Sequence, residues 1–247
     1  MGGVKVNGGP EITKMNRPVQ AALLAGTVLP QAWCFATQSG PSAPEQLAQW
    51  WAWSTQDAAG WLLSASFLAA FLALAFERVL YTIVWIRPKA WMAMSKTQPF
   101  VRLGSPVDVV CAGFSVSKVL QIGSFVAWYA AFGPFDLVAV VRNATRLQWV
   151  CAAQGIFLGQ LLNMAIYKAI GKNGVYYGYK LGRPVPWCTT FPFNAFTAHP
   201  QYVGCIATIV GLSAFMATEA HVKNGWLGLS ALGSLMYVYM AIIEQYC

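Results

Sequence analysis

The sequence predicts an all-α protein, a polytopic helical bundle integral to a membrane, with five spanning helices and a sixth candidate near the N-terminus. Three observations lead there. Hydrophobic residues make up 57% of the 247 positions and charged residues only 10%, against roughly 25% charged in a soluble domain. Several apolar runs approach the ~20 residues that cross a bilayer. Basic segments alternate with weakly charged ones along the chain. Its size suits one compact bundle better than two domains.

The five segments are 58–86, 107–132, 147–170, 202–218 and 226–244, the fourth being near the lower length limit. Trp61, Trp85, Trp128, Tyr129, Trp149, Tyr167 and Trp226 flank them, as interfacial aromatic belts do. The sixth candidate, 19–37, contains Gly26 and Pro30 and follows Lys5, Lys14 and Arg17. It fits either an uncleaved helix or a signal or organelle-targeting segment. Residues 38–49, with their Ser, Pro, Gly and Gln, read as a flexible linker. The expected division is an N-terminal extension over 1–57 and a membrane helical domain over 58–247.

Loop charge sets the expected orientation. Lys5, Lys14 and Arg17 lie in the tail, Arg87, Lys89, Lys96 and Arg102 in 87–106, and Lys172, Lys180 and Arg183 in 171–201. With six helices these segments and the C-terminus share one side, which the positive-inside rule makes cytosolic or its organellar equivalent. The net charge of +8 is therefore spread among loops. No single basic stripe exists, so nucleic acid is not an expected partner. The six cysteines form no C-x-x-C pair and there are only two histidines, so neither a disulfide framework nor a metal site is expected.

The connection 174–204 is unusual for a loop between apolar segments. It is about thirty residues long, stiffened by Pro184, Pro186, Pro192 and Pro200, and rich in aromatic residues. Ordinary connections are short. Such a stretch is expected to fold at the membrane surface and to contribute to a site. Gly178 and Gly182 suggest a helix end that breaks at glycines, and Pro200 suits the first turn of the next helix. The backbone N–H groups exposed there suit a carboxylate or phosphate; a structured loop without a ligand also fits these residue types.

Four elements in this stretch carry a resemblance: Tyr176-Tyr177-Gly178, Pro186-Trp187, Phe191-Pro192-Phe193 and His199-Pro200-Gln201-Tyr202-Val203-Gly204. Their order resembles that of the phospholipid N-methyltransferases, nearest to the short plant-type enzymes. The likeness is strongest over 154–204 and extends weakly from 77 to 244. It implies S-adenosylmethionine-dependent N-methylation of phosphatidyl-N-methylethanolamine-type phospholipids towards phosphatidylcholine. An endoplasmic-reticulum or organelle (mitochondrial or plastid) membrane is the expected location.

The family's small-x-Gly motif corresponds to Ala153-Gln154-Gly155 and its terminal Glu to Glu244. The resemblance ties Ala153, Gly155 and Glu244 to S-adenosylmethionine; His199, Pro200 and Tyr202 are expected to line the same pocket, with His199 and Tyr202 as catalytic candidates and Tyr177 and Lys118 as substrate-binding candidates. Gly155 would let a cofactor approach helix backbone; helix packing through small residues fits equally well. Glu244 could meet a cationic group of the cofactor or stand as a solvated helix end. A histidine is suited to accept a proton at neutral pH.

Lys118 lies mid-way along 107–132, where a charge must pair, face a cavity or snorkel. A lipid phosphate and a partner such as Glu77 are both open. Glu77 and Arg78 are adjacent on a helix and are expected to have separate partners. Two other functions fit part of the pattern. One is a non-catalytic methyltransferase-like subunit of a larger membrane complex. The other is carboxyl methylation of an isoprenylcysteine, which matches His-Pro-x-Tyr-x-Gly but not Phe-Pro-Phe or Tyr-Tyr-Gly.

Overall fold

A computed structural model describes residues 41–133, 135–194 and 199–247. The candidate segment 19–37 lies outside the described residues. Regular structure among the described residues is helical throughout. Helix α1 covers Ala43–Thr55, α2 Ala58–Leu62, α3 Ala65–Ile86 and α4 Pro88–Ser95. Then follow α5 over Pro106–Phe132, α6 over Leu137–Asn143, α7 over Arg146–Val175, α8 over Pro200–Phe215, α9 over Glu219–Lys223 and α10 over Trp226–Tyr246.

Among the described residues, four helices are long and apolar enough to cross a membrane: α3, α5, α7 with its continuation to Leu181, and α10. The fourth expected span, α8, is apolar but has only 16 residues. At 1.5 Å per residue it is about 24 Å long, short of a ~30 Å hydrocarbon core. Large apolar side chains are exposed on the outer faces, including Leu72 and Val79 on α3, Val119 on α5, Phe157 on α7 and Leu235 on α10. That distribution suits lipid rather than water. The protein is a membrane helical bundle.

Capping chemistry sets several boundaries. Ser42 and Glu45 form a capping box, each side chain satisfying the other's backbone N–H. Residues 43–49 are therefore helical rather than a linker, and Trp50 of α1 is buried against the bundle. The expected helix 58–86 divides because the Ser64 hydroxyl accepts from the Phe67 amide and starts α3 afresh. Pro106 at the start of α5 follows a Ser105–Asp108 box, and α7 opens on Thr145 with Gln148. Gln148 also donates to the carbonyls of Ala214 and Ala217, 3.0 Å away in each case. One amide thus caps the start of α7 and satisfies carbonyls at the end of α8.

The long helices alternate in direction, with α7 packing most closely on α8, α8 on α10, α10 on α3 and α3 on α5. The ends of α3, α7 and α10 and the starts of α5 and α8 consequently meet at one end of the bundle. An aromatic core including Tyr81, Trp85, Phe114, Tyr177, Tyr202 and Tyr237 lies there. A second core, with Phe67, Trp128, Tyr129 and Trp226, closes the opposite end.

Candidate active site

The site is built where three helix ends converge. Helix α7 is broken at Gly171, whose φ of 62° and ψ of −173° leave the helical region, and it ends at Val175. Tyr177 follows in the left-handed conformation, φ 57° and ψ 29°, and starts a 3-10 turn over Gly178–Leu181. A bulky side chain seldom occupies that region. Here the conformation turns the Tyr177 ring inward, edge-on to Tyr81 and Trp85 at centroid distances of 5.5 and 5.2 Å.

The Tyr177 hydroxyl meets groups from two other elements. It lies 3.2 Å from the Tyr202 hydroxyl, on the first turn of α8. Both hydroxyls donate to Oε1 of Glu244, at the end of α10. The other carboxylate oxygen of Glu244 faces Nδ1 of His199 at 3.3 Å. His199 is the residue from which α8 starts, and its ring is parallel to Tyr202 at 5.5 Å. Pro200 occupies the first helical position beside it. Tyr177 and Tyr202 are buried, and only 10% of the Glu244 side chain is exposed.

A carboxylate walled by aromatic rings and largely withdrawn from water attracts a desolvated cation, through its own charge and through the ring faces. Nearby donors can meet acceptor groups of the same ligand. The Trp85 indole N–H and the Tyr179 hydroxyl are buried without a hydrogen-bond partner, a state few buried polar groups occupy. Lys180 caps the rim, its ammonium 3.5 Å from the centre of the Trp85 ring.

Adjoining this cluster is a cavity of about 360 Å³ lined by residues of α3, α5, α8 and α10, among them Arg78, Lys118, Tyr202 and Tyr237. Glu77 Oε2 lies 2.9 Å from both Nη2 of Arg78 and Nζ of Lys118. The Glu77–Lys118 contact is the structural partnership that the mid-helix position of Lys118 allowed. The Glu77–Arg78 contact corrects the expectation of separate partners. Adjacent residues diverge at Cβ, but the long arginine side chain folds back to reach the carboxylate.

A family model for phospholipid methyltransferases matches residues 147–246. A phosphatidyl-N-methylethanolamine N-methyltransferase of Arabidopsis thaliana is 35% identical over 159 residues, covering 64% of this chain and 85% of the relative. The chain belongs to the phospholipid methyltransferase family. It is a methyltransferase, and membership implies a methyl donor. No solved structure matches it.

Within this methyltransferase the structure brings together Tyr177, His199, Pro200, Tyr202 and Glu244, and it puts Lys118 in the neighbouring cavity. Ala153 and Gly155 do not join them. Ala153 is exposed on the outside of α7. Gly155 is pressed against α8, where an added Cβ would lie 2.7 Å from the Gly211 Cα. Helix α8 packs against the backbone of Gly155, as the helix-packing reading of the small-x-Gly motif expects.

The sequence reading missed Tyr81, Trp85 and the cavity role of Arg78. Their signal was present, because 78, 81 and 85 are spaced i, i+3 and i+7 and share one helix face. It also missed His221, buried at the opposite end. There Nε2 lies 2.9 Å from the Tyr129 carbonyl and Nδ1 2.6 Å from the Thr218 hydroxyl.

Proposed function

We propose that this methyltransferase moves a methyl group from S-adenosylmethionine to the amine of phosphatidyl-N-methylethanolamine-type phospholipids, towards phosphatidylcholine. The observation that carries the reading is the buried Glu244 carboxylate ringed by Tyr177, Tyr202 and His199. When bound, S-adenosylmethionine supplies an electrophilic methyl carbon on a positively charged sulfur. Glu244 would hold the cationic part of that molecule, and the Tyr177 and Tyr202 rings would face it. Trp85 and Tyr179 offer unused donors for its acceptor groups.

The attacking amine must arrive without its extra proton. His199, on the rim of the cluster and 14% exposed, is placed to accept that proton and pass it to water. Tyr202 can orient the amine through its hydroxyl. The aromatic walls would exclude competing water around the reacting groups, and transfer is favoured where the amine is held in line with the methyl group.

The test is transfer of radiolabelled methyl groups by the purified protein to mono- and dimethylated phosphatidylethanolamine in mixed micelles. Incorporation into lipid that depends on S-adenosylmethionine is expected. Incorporation that persists undiminished in Glu244→Ala and His199→Ala would overturn the site assignment, and none by the wild type would overturn the activity.

A further inference from the structure

We propose that the cavity beside the aromatic cluster is a phosphodiester subsite, in which Arg78 and Lys118 hold the headgroup phosphate of a membrane phospholipid. This rests on the phospholipid N-methylation reading and supplies the grip that reading lacks. The observations are the state of Arg78, the charge of the cavity walls and the direction in which the cavity opens.

Arg78 is 3% exposed. Its guanidinium lies between the rings of Tyr81 and Tyr237, with Cζ 4.5 and 4.1 Å from their centroids. The guanidinium thus contacts two aromatic rings, and Nη2 is committed to Glu77. Nη1 is buried and has no hydrogen-bond partner. A buried arginine with unused N–H groups, held rigidly by two rings, is an oxyanion donor set waiting for an acceptor.

The charge count leads to the same ligand. Glu77, Arg78 and Lys118 line the cavity, and a single carboxylate is shared by two cations. Lys118 is held further by Gln121 Oε1 at 2.7 Å and by the Tyr237 hydroxyl at 3.3 Å, neither of which carries a compensating charge. One positive charge is left over among apolar helices, where uncompensated charge is costly. A phosphodiester carries one negative charge and would make the set neutral.

The opening identifies the source of the phosphate as a lipid. Ser115, Val119 and Ile122 form the α5 side of the cavity and are exposed on the flank that faces hydrocarbon. Acyl chains can therefore stay in the bilayer while the headgroup enters. Tyr202 lines the cavity and also donates to Glu244. A phosphate at Arg78 and Lys118 consequently directs the headgroup nitrogen, a few bonds away, towards the aromatic cluster.

The experiment compares the full-length wild type with Arg78→Gln and Lys118→Gln. It measures kcat and KM for the methylated phosphatidylethanolamines, and affinity for S-adenosylhomocysteine by calorimetry. Each variant should raise the lipid KM roughly tenfold, the scale of one lost charge-assisted hydrogen bond, with a smaller change in kcat and unchanged S-adenosylhomocysteine affinity. Lys118 is 43% exposed, so Lys118→Gln remains informative should Arg78→Gln fail to fold. An unaltered lipid KM in Lys118→Gln overturns the proposal. So does weakened S-adenosylhomocysteine binding with lipid KM intact, which would assign the charge to the cofactor's carboxylate. Native mass spectrometry separates this from the activity itself. The wild type should retain phosphatidylethanolamine over diacylglycerol, a preference that Lys118→Gln should lower roughly tenfold even without detectable methyl transfer. An unchanged preference refutes the subsite whether or not the protein is active.

Discussion

Tyr177 shows at the scale of one residue how the site is paid for. Its left-handed backbone, φ 57°, costs about 1–3 kcal/mol for a bulky side chain. The return is a hydroxyl and a ring delivered to Glu244 from a segment that would otherwise continue helix α7. Glu244→Gln should keep the packing and remove the charge. We expect it to lower kcat/KM by about 10–100-fold and to weaken cofactor binding in parallel, as loss of charge-assisted hydrogen bonds does. Radiolabel kinetics with calorimetry on the same preparation check both. His221 makes a different contribution. The Tyr129 carbonyl can only accept, so Nε2 carries the proton and Nδ1 accepts from Thr218. Burial lowers the pKa of His221 below its ordinary value, with the Tyr129 carbonyl opposing that shift. On acidification the unfolded chain therefore takes up the proton first. The stability His221 contributes should be complete above about pH 6.5 and fall as pH drops below it. Thermal unfolding in detergent from pH 8 to 5 reads this directly, and a midpoint that stays flat contradicts it.

Small residues let α7 and α8 approach to backbone contact. An added Cβ at Gly159 would lie 2.6 Å from the Gly204 carbonyl oxygen, and one at Gly211 would lie 2.5 Å from that of Cys151. Such contacts replace the hydrophobic effect as the source of helix association in lipid. Gly155→Ala should destabilise the protein by about 1–3 kcal/mol, the usual cost of overpacking a tight contact. Ala153→Leu, on the exposed face, should change stability by less than about 0.5 kcal/mol. Unfolding midpoints check the pair. The measurement also settles which reading of the small-x-Gly motif holds, because a cofactor contact at Gly155 would reduce cofactor affinity without lowering the midpoint. The helix existed in the sequence pattern; the side it buries did not. Small residues on a hydrophobic helix look alike whether they face a ligand or a neighbour.

At the scale of the molecule, alternation of helix direction places the chemistry. Arg87, Lys89, Lys96, Arg102, Lys172, Lys180 and Arg183 all belong to segments at the Glu244 end of the bundle. The positive-inside rule predicts that this end faces the cytosol or its organellar equivalent. Cys247, exposed at the end of α10, offers a test. An impermeant maleimide applied to the cytosolic face of sealed vesicles should label the wild type more strongly than Cys247→Ser. Labelling of Cys247 only after the vesicles are opened would reverse the orientation.

Hydropathy and spacing were enough to establish an all-helical bundle with long apolar helices, four of them long enough to span a membrane among the described residues, and to single out the stretch 174–204. These properties are legible because each arises from residues close together along the chain. Capping shifted boundaries by a few residues and turned 43–49 from linker to helix, since Ser42 and Glu45 outweigh a loop-like composition. The motif residues Tyr177, His199, Tyr202 and Glu244 were also visible one by one. Their meeting at one carboxylate was a matter of tertiary structure, because it requires the ends of α7 and α10 and the start of α8 to converge. The same convergence set Gly155 against α8 and left Arg78 with an unused donor beside a cavity. Contacts between helices depend on which faces pack together, and that is decided by the whole bundle.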